Sequence, residues 1–583
     1  MGRFLLAIGA PPDRASDMWK RFEESGAMRL AVELAGVQLW SSIDLPLSIE
    51  PGGSRMILGQ VHSRSLGDDD DPSGILPRHE QWPPWPKLIE AFWGPWLGIE
   101  YNHRLLQLEL VRSADIEMPC YYALASGGIY AASDADLLVA AGACTGEIDR
   151  AALASALVYP AHRPSSTVLA GITELEPGRC LEWTPGRLRG HALWNPWDFA
   201  LPPAQIHDLQ IAAETVRDAV LIAVRGCSAG QRVILGMSGG LDSSIVAAAL
   251  RATGAQWSGV TTVSAEPAGD ERYYARCVAE HLQVQLAEVP DNIERIDLPQ
   301  CHAAHLPRPT SRSFSQSADK SMLEIAAASG AKAYLHGGGG DNVFAMLDSV
   351  RPVLDRALDT SGWAASQTVC DIARMTGRSV ADVALRAGRL ALRRGRDAPR
   401  IGNSAFLSQS VLETAEFSHH PWLDAPTGAR PGKVLHVGWL IGIQNFLEGH
   451  AGQGELPYRA PLMAQPVIEA CLRVPTWMWC TGGRNRAVAR LAFAAMLPAQ
   501  IMARSAKGTP TSFLYDILEA KRDEAREMLL EGNLASLGCL DRDKVEAALG
   551  AVQRLMSGDV LALMRLIDTE SWIRARIARQ PER

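Results

Sequence analysis

Residues 233–244 of this chain read Val233-Ile234-Leu235-Gly236-Met237-Ser238-Gly239-Gly240-Leu241-Asp242-Ser243-Ser244. The first residues are typical of a buried strand, and residues 245–250 continue as an apolar helix. Between them, two glycines let backbone N–H groups approach an anion closely, and the positive end of the helix points to the same place. The segment therefore predicts a cradle for the phosphates of a nucleotide. The alternative is an ordinary strand–turn–helix whose glycines serve only the turn.

Asp242 lies in the first turn of the predicted helix, where the positive helix end favours a carboxylate. A carboxylate at this position could also hold a magnesium ion on the bound phosphates. The chain has no Gly-Lys-Ser/Thr here, so the cradle is not the phosphate loop of kinases and GTPases. The segment resembles the Ser-Gly-Gly-x-Asp-Ser loop of the ATP pyrophosphatase superfamily. Members of that superfamily split ATP between the α and β phosphates to adenylate a substrate.

A second glycine-rich segment follows the predicted strand at 331–335 and reads His336-Gly337-Gly338-Gly339-Gly340-Asp341-Asn342. In a parallel sheet the carboxyl ends of the strands lie at one edge, where ligands bind. Asp341 would then join Asp242 as a pair of hard oxygen ligands for magnesium, with phosphate and water completing the shell. The alternative is a flexible glycine loop with a turn-forming Asp-Asn.

Together the two segments resemble the synthetase domain of asparagine synthetase, where a Gly-Glu-Gly-Ala-Asp-Glu segment follows the equivalent strand. Asp341 matches the metal-binding aspartate of that family, whereas Gly338 and Asn342 replace its two glutamates. His336 stands where the family has serine, and it is either a hydrogen-bonded core residue or a proton-transfer group. The resemblance implies ATP and Mg²⁺ as cofactors. It implies nucleotide contacts at Leu235, Met237, Ser238, Gly239, Gly240, Asp242, Ser243, Ser244, Val263, Gly337, Gly338 and Lys507.

Residues 497–508 resemble the late Leu-Pro…Arg-x-Lys segment of the same family, with a spacing that is longer by one residue. The resemblance implies that Lys507 places a fixed positive charge on the pentavalent phosphorus and then on the oxyanion of the attacked acyl-adenylate. A surface lysine is the alternative. The predicted catalytic residues are therefore Lys507, Asp242 and Asp341, and the two aspartates are also the predicted metal ligands.

The chain of 583 residues is too long for one hydrophobic core. Its first part reads as short strands, with helices near 17–24 and at 149–157, and ends at a proline-marked joint at 196–203. Strands then alternate with helices, which argues for a parallel sheet with helices on both faces, and the pattern is mainly helical beyond about residue 345. We expect an α/β protein with one domain at 1–203 and a second at 204–583.

The N-terminal half resembles class II glutamine amidotransferases, which implies an Ntn-hydrolase-like αββα domain. The resemblance rests on Ala91-Phe92-Trp93-Gly94-Pro95-Trp96, Leu110-Val111-Arg112, Pro119-Cys120-Tyr121-Tyr122 and Ala132-Ser133-Asp134. Those glutaminases use a cysteine exposed as residue 2, whereas this chain has Gly2. Without a thiolate no glutaminyl thioester can form, so the domain is expected to be inactive and to generate no ammonia.

A synthetase without a glutaminase must take its amine from elsewhere. β-Lactam synthetases and the macrolactam synthetases (cyclases) of lasso-peptide biosynthesis resemble this plan, and both close an amide within one molecule. β-Lactam synthetases carry a tyrosine at the position of Gly338, which deprotonates a strongly basic amine together with a glutamate. A peptide α-amine, with a pKa of about 7.7–8.0, has less need of such a base. The resemblance therefore implies a lasso-peptide cyclase, which joins an Asp or Glu side chain of a core peptide to its N-terminal amine and releases AMP and pyrophosphate.

The implied partners are the precursor core peptide, a leader peptidase and a leader-binding protein. A β-lactam synthetase-type ligase, a glutamine-independent asparagine synthetase-like enzyme and a non-catalytic binding descendant remain alternatives. The net charge of −8 argues against a general nucleic-acid binder. No apolar run approaches the roughly 20 residues of a membrane span, and no signal peptide is evident. Ten scattered cysteines suit buried thiols in a reducing compartment, so we expect a cytoplasmic protein.

Overall fold

The protein is described here by a computed structural model that shows an α/β architecture. The structure describes residues 2–9, 20, 27–34, 36–65, 76, 81–264, 269–346, 348–392, 402–450, 455–504 and 511–579. Lys507 lies outside these described residues. Apart from Lys20, the helix predicted near 17–24 also lies outside them. No helix in the described ranges is both long and apolar enough to cross a membrane.

Two antiparallel six-stranded sheets stack face to face in the N-terminal half, with strand orders β12-β10-β11-β1-β3-β2 and β14-β13-β9-β8-β5-β4. A short pair, β6 and β7, lies beside them. The strands are β1 (Phe4–Ile8), β2 (Arg29–Leu34), β3 (Val37–Ser41), β4 (Leu47–Ile49), β5 (Arg55–Gly59), β6 (His62–Ser63), β7 (Phe92–Trp93), β8 (Trp96–Asn102), β9 (Gln107–Arg112), β10 (Tyr121–Ala125), β11 (Gly128–Ala132), β12 (Thr173–Glu174), β13 (Arg179–Thr184) and β14 (Arg187–Ala192).

Strand β1 is apolar throughout because both of its faces are covered. Phe4, Leu6 and Ile8 pack between the two sheets, whereas Leu5 and Ala7 pack against helices on the outer face. Side chains alternate between the two faces of a strand, so a strand with neither face exposed to solvent needs a fully apolar sequence.

Helices cover the outer face of each sheet, which gives the expected αββα layering. They are α1 (Trp85–Ala91), α2 (Ala135–Ala140), α3 (Arg150–Val158) and α4 (Trp197–Ala200). The predicted helix at 149–157 is confirmed as α3, and the carboxylate of Asp149 caps it by accepting the N–H groups of Ala151 and Ala152 at 2.9 and 3.0 Å. The proline-marked joint is packed, since Trp197 is only 2% exposed.

A five-stranded parallel sheet forms the centre of the second half, in the order β17-β16-β15-β18-β19. Its strands are β15 (Val233–Gly236), β16 (Trp257–Val263), β17 (Leu286–Pro290), β18 (Ala333–His336) and β19 (Tyr458–Arg459). Helices α5 (Leu209–Ser228), α6 (Leu241–Ala252) and α7 (Arg272–Leu282) pack on the face that carries Val233 and Leu235. Helix α8 (Gln316–Ser329) covers Ile234 on the opposite face. The prediction of a parallel sheet with helices on both faces is confirmed.

Apart from Gly340–Val343 in the second glycine loop, the remaining described helices form the extension that the sequence predicts beyond residue 345. They are α9 (Gly340–Val343), α10 (Arg351–Asp359), α11 (Gly362–Thr376), α12 (Val380–Leu392), α13 (Gln409–Thr414), α14 (Pro431–Gln444), α15 (Gln465–Leu472), α16 (Ala487–Phe493), α17 (Ala499–Ala503), α18 (Thr511–Ala520), α19 (Arg522–Glu531), α20 (Asn533–Ser536), α21 (Arg542–Leu549) and α22 (Ser557–Arg579).

Helix α22 packs against the N-terminal half of the chain. Its Trp572 and Ile573 share one apolar cluster with Leu5 and Ala7 of β1. The helix is also held by charge, because Arg576 Nη1 lies 2.6 Å from a carboxylate oxygen of Asp136 in α2. The last described helix therefore adds to the helical layer over the first antiparallel sheet, which α2 contacts directly.

Candidate active site

The glycines of the first loop serve close packing as well as backbone conformation. Gly239 has a φ of +64°, and a Cβ at this residue would lie 2.5 Å from the backbone nitrogen of Ala275. The hydroxyl of Ser244 donates to the carbonyl of Gly240 at 2.7 Å, which fixes the turn into α6. Gly240 is the N-cap of α6 and offers no side chain to the first turn. The positive end of this helix is thus left open for a ligand.

The second glycine loop lies directly against the start of α6. A Cβ at Gly337 would lie 2.6 Å from the backbone nitrogen of Ser243, and a Cβ at Gly340 would collide with the side chain of Asp242. Residues with side chains would therefore push the two loops apart. The glycine run brings the ends of β15 and β18 together and places Asp341 near Asp242.

Arg486 joins the two aspartates that the sequence predicts as metal ligands. Its Nη1 lies 2.8 and 2.9 Å from the two carboxylate oxygens of Asp242 and 2.6 Å from Oδ1 of Asp341. Arg486 is buried, with a left-handed φ of +54° immediately before α16. The guanidinium thus occupies the position between the carboxylates where a cation is electrostatically required.

The donor set at this point fits a hard divalent cation. Three carboxylate oxygens from Asp242 and Asp341 converge on one nitrogen atom, and oxygen is the ligand that Mg²⁺ prefers. The described residues contain no group of three or more His, Cys, Asp or Glu side chains that could hold a metal alone. A magnesium ion held here would therefore take its other ligands from phosphate and water. The assignment of these aspartates to magnesium stays a prediction.

A cavity of about 210 Å³ opens at this edge of the sheet. It is lined by Gly236, Ser238, Gly240, Leu241, Asp242, Ser243, Gly337, Gly338, Arg486, Arg490, Ile501 and Arg504. Arg504 donates to the carbonyl of Gly239 at 3.0 Å, and its guanidinium lies 4.0 Å from the ring centroid of Tyr274. Burial, with Arg486 and Arg484 nearby, lowers the pKa of Arg490 to about 10. Arg486 pairs with Asp242 and Asp341, and Arg504 pairs with Glu271, whereas Arg490 donates to the backbone carbonyls of Met502 and Arg504. Arg490 therefore offers its positive charge to an anion such as a phosphate.

The structure brings part of the predicted nucleotide set to this cavity. The lining contains Ser238, Gly240, Asp242, Ser243, Gly337 and Gly338. Leu235, Met237 and Ser244 are buried beneath it. Val263 is the last residue of β16 and does not line the cavity. Gly239 does not line the cavity either, but its lack of a side chain lets the loop pack against Tyr274 and Ala275. The role of Lys507 stays a prediction, since the residue lies outside the described part of the chain.

His336 is hydrogen-bonded to the second glycine loop. Burial, with His450 and Arg312 nearby, lowers the pKa of His336 to about 3. Its Nδ1 accepts the backbone N–H of Gly338 at 3.0 Å, so the ring proton of the neutral tautomer is on Nε2. Of the two alternatives that the sequence left open, this contact favours the hydrogen-bonded residue, which is half-buried. His336 holds the glycine loop in place.

A second cavity of about 310 Å³ lies between the N-terminal half and the parallel sheet. Gly2, Arg3 and Asp134 line it on one side, and His336 and Tyr458 line it on the other. A Cβ at Gly2 would lie 2.7 Å from the Cβ of Leu45. Position 2 therefore lacks a nucleophile and also lacks room for one in this conformation.

Sequence reasoning missed Arg486 and Arg490 as cavity residues. The only available signal was charge, because residues 484–490 place three arginines shortly before the Leu-Pro segment. No spacing rule distinguishes such a run from a solvated helical face. Only the fold shows that Arg486 turns inward.

A family model described as asparagine synthase matches residues 215–574. The chain belongs to the asparagine synthase family. This is a family of ATP-utilising amide ligases, and the match includes both glycine loops, Arg486 and Lys507. Among proteins of curated function, none matches the sequence significantly.

Solved structures of three other enzymes show weak similarity to the chain. Glutamine phosphoribosylpyrophosphate (PRPP) amidotransferase from B. subtilis, complexed with ADP and GMP, is 9% identical with a TM-score of 0.21, over 58% of this chain and 82% of its own. An allosteric regulatory enzyme of purine biosynthesis is 10% identical with a TM-score of 0.19, over 50% and 74%. NAD⁺ synthetase from Burkholderia pseudomallei is 15% identical with a TM-score of 0.18, over 43% and 90%.

Proposed function

We propose that the protein is an ATP-dependent lasso-peptide cyclase. In this reaction an Asp or Glu side-chain carboxylate of a core peptide attacks the α-phosphorus of ATP, and pyrophosphate leaves. The N-terminal amine of the same peptide then attacks the acyl carbon, an amide forms, and AMP leaves with the acyl oxygen. The amine loses one proton to solvent or to a nearby base.

The residues at the end of the parallel sheet suit the first step. Asp242 and Asp341 would hold magnesium, which neutralises phosphate charge when bound. Arg490 and Arg504 line the same cavity and would bind the leaving pyrophosphate. Ser238 and Ser243, whose hydroxyl oxygens lie 3.2 Å apart, offer donors to the phosphates. The proposed role of Lys507 is to stabilise charge that develops on phosphorus and then on the oxyanion.

The observation that carries the proposal is the lack of space at position 2. Gly2 has no thiol, and Leu45 fills the volume that a side chain would need. An amide ligase of this family without glutamine-derived ammonia must take its amine from another source. The second cavity reaches from Gly2 to His336, beside the glycine loop, and offers a route for a substrate amine.

Gly338 supports a peptide amine over the more basic amine of a β-lactam precursor. A Cβ at this position would lie 2.5 Å from Nδ1 of His336 and 3.0 Å from Cδ2 of Leu447. A tyrosine base at this position would therefore require the neighbouring residues to move. A peptide α-amine with a pKa of about 7.7–8.0 is partly free base near neutral pH and has less need of such a residue.

The test is to incubate the protein with ATP, Mg²⁺ and a library of peptides, each with a free α-amine and one acidic residue at a varied distance. Mass spectrometry should detect a product that has lost one water, and pyrophosphate should form in equal amount. N-acetylation of the peptide should abolish the dehydrated product, because the amine acts only after pyrophosphate has left, whereas the Asp341→Asn variant should abolish both signals. Amide formation from aspartate and ammonia instead would support the asparagine synthetase-like alternative. No pyrophosphate with any substrate would favour a non-catalytic descendant.

The remaining elements of the proposal concern the setting of the reaction. A precursor peptide needs its leader removed before its α-amine is free, so we propose a leader peptidase and a leader-binding protein as partners. The proposed location is the cytoplasm, and the proposed domain boundary falls at residues 203 and 204.

A further inference from the structure

A third cavity, which the proposed chemistry does not use, lies between α3 of the N-terminal half and α22. Its volume is about 180 Å³. The apolar part of its lining consists of Tyr159, Phe314, Leu407, Phe446, Leu561 and Met564. An engineered cavity of about 150 Å³ is enough for benzene, so this one suits a single ring or branched aliphatic group.

Two arginines share one aromatic ring in this cavity. The guanidinium carbons of Arg312 and Arg565 lie 5.2 and 5.6 Å from the ring centroid of Phe446. Arg312 also donates to the carbonyl of Asn445 at 3.0 Å. In the described ranges of the chain, no carboxylate oxygen lies within 4.0 Å of a nitrogen of either guanidinium group, which is the limit for an ion pair.

The acidic groups near these arginines are Asp568 and the exposed Glu416 on the lining, with Asp319 and Glu448 farther from Arg312. Arg308, on the same lining, is bound to Glu174 at 3.0 Å. Asp568 accepts the backbone N–H of Ser313 at 2.8 Å, and burial raises its pKa to about 7. Burial lowers the pKa of Arg312 to about 10. No carboxylate in the described ranges forms an ion pair with either guanidinium group, so a ligand carboxylate could bind both of them inside this largely apolar cavity.

We infer that this cavity binds a carboxylate that carries an apolar group, and that in the peptide substrate this is the C-terminal residue. The guanidinium groups of Arg312 and Arg565 would receive the carboxylate, since planar forks match its two oxygens. The ring or branched side chain would lie against Phe446 and Phe314.

The position of Phe446 links this cavity to the glycine loop. Leu447 follows it directly, and the Cδ2 atom of Leu447 approaches the Cβ position of Gly338 to 3.0 Å. A substrate that occupies both places must extend around residues 445–448. The assignment to a C-terminal residue rests on the proposed cyclase function, whereas the carboxylate site stands on the arginines alone.

The experiment uses N-acetyl-4-fluorophenylalanine and its C-terminal amide, with binding to the full-length protein followed by ¹⁹F NMR. The acid should bind at least about tenfold more tightly than the amide, because charge-assisted hydrogen bonds are lost in the amide. Arg312→Gln and Arg565→Gln should each weaken binding of the acid by about tenfold and leave binding of the amide unchanged. Arg554→Gln removes an exposed arginine elsewhere and should change neither.

Equal binding of acid and amide, or unchanged binding in both variants, would overturn the inference. Urea unfolding of each variant checks the fold, and Arg312→Lys, which keeps the charge but not the fork, should bind the acid with intermediate affinity. The 4-fluorobenzylamide of N-acetylaspartate offers a side-chain carboxylate beside the same ring. If it binds more tightly than the C-terminal acid, the C-terminal assignment is wrong. These probes need neither ATP nor cyclisation, so the result is independent of the proposed reaction.

Discussion

Replacing Arg486 with methionine removes a buried cation without opening a cavity. Nη1 of this residue contacts both Asp242 and Asp341 within 2.9 Å. Removal of one partner of a buried ion pair costs about 3–5 kcal/mol. The side chain of Asp242 is 9% exposed and that of Asp341 is 35% exposed, so water recovers part of the loss at Asp341. We expect the free energy of unfolding to fall by about 3 kcal/mol, at the lower end of the range.

The same reasoning predicts how a ligand changes this loss. Magnesium supplied with a non-hydrolysable ATP analogue would place another cation between the carboxylates. A ligand at one hundred times its dissociation constant stabilises the folded state by about 2.7 kcal/mol. The wild-type protein should gain less than Arg486→Met, because in the wild type the guanidinium must first give up the carboxylates.

The assay is urea unfolding of the wild type, Arg486→Met and the control Arg484→Met, each with and without the magnesium–analogue pair. Arg484 is exposed and lies two residues away, so its loss should leave the unfolding curve nearly unchanged. The reasoning is refuted if Arg486→Met unfolds like the wild type. It is also refuted if the difference in the free energy of unfolding between the wild type and Arg486→Met stays the same when magnesium and the ATP analogue are added.

Three further predictions concern other residues. Lys507→Ala should lower kcat for pyrophosphate release by about 10²–10³-fold with a smaller change in ATP affinity, and a kcat within about threefold of wild type would reject its catalytic role. Gly2→Cys should release no glutamate from glutamine in a coupled assay, because Leu45 fills the place of the new side chain. Detectable glutamate would show that the position can open. The pKa of Asp568 is raised from its ordinary 3.8 to about 7, so its stabilising contribution is complete below about pH 4 and is lost as the pH rises through 7. Asp568→Asn should therefore gain stability relative to wild type between pH 5 and pH 8, on the order of a few kcal/mol at 1.36 kcal/mol per pKa unit, and an identical pH dependence in urea unfolding would contradict this.

Sequence patterns predicted the parts of the fold that depend on local periodicity. The strand predicted at 331–335 and the helix predicted at 149–157 were found as β18 and α3, within two residues at each end. Strands β17 and β19 were not predicted. β17 lies at the sheet edge with partly exposed residues, so it lacks a strong apolar run. β19 has only two residues, and its place in the sheet depends on pairing with a strand more than one hundred residues earlier.

The candidate site, like the fold, could be predicted only where it depends on local sequence patterns. The second glycine loop could be identified from the sequence because the run from Gly337 to Gly340 is itself a local pattern. The inward turn of Arg486 and the closeness of Gly2 to Leu45 depend on contacts between distant segments, and no spacing rule encodes them. For the same reason, the two arginines at Phe446 could not be foreseen, since they come from residues 312 and 565.

The packing of α22 on the first antiparallel sheet has a consequence for synthesis of the chain. Strands β1 and β11 leave the ribosome more than four hundred residues before this helix is made. At 5–20 residues per second, the part of this apolar cluster that α22 completes would wait roughly 20–85 seconds, whereas α2 is made directly after β11. Until α22 is made, the apolar side chains that it covers are exposed to solvent, so the nascent protein should depend on chaperones. Fragments that end before residue 557 should aggregate on expression.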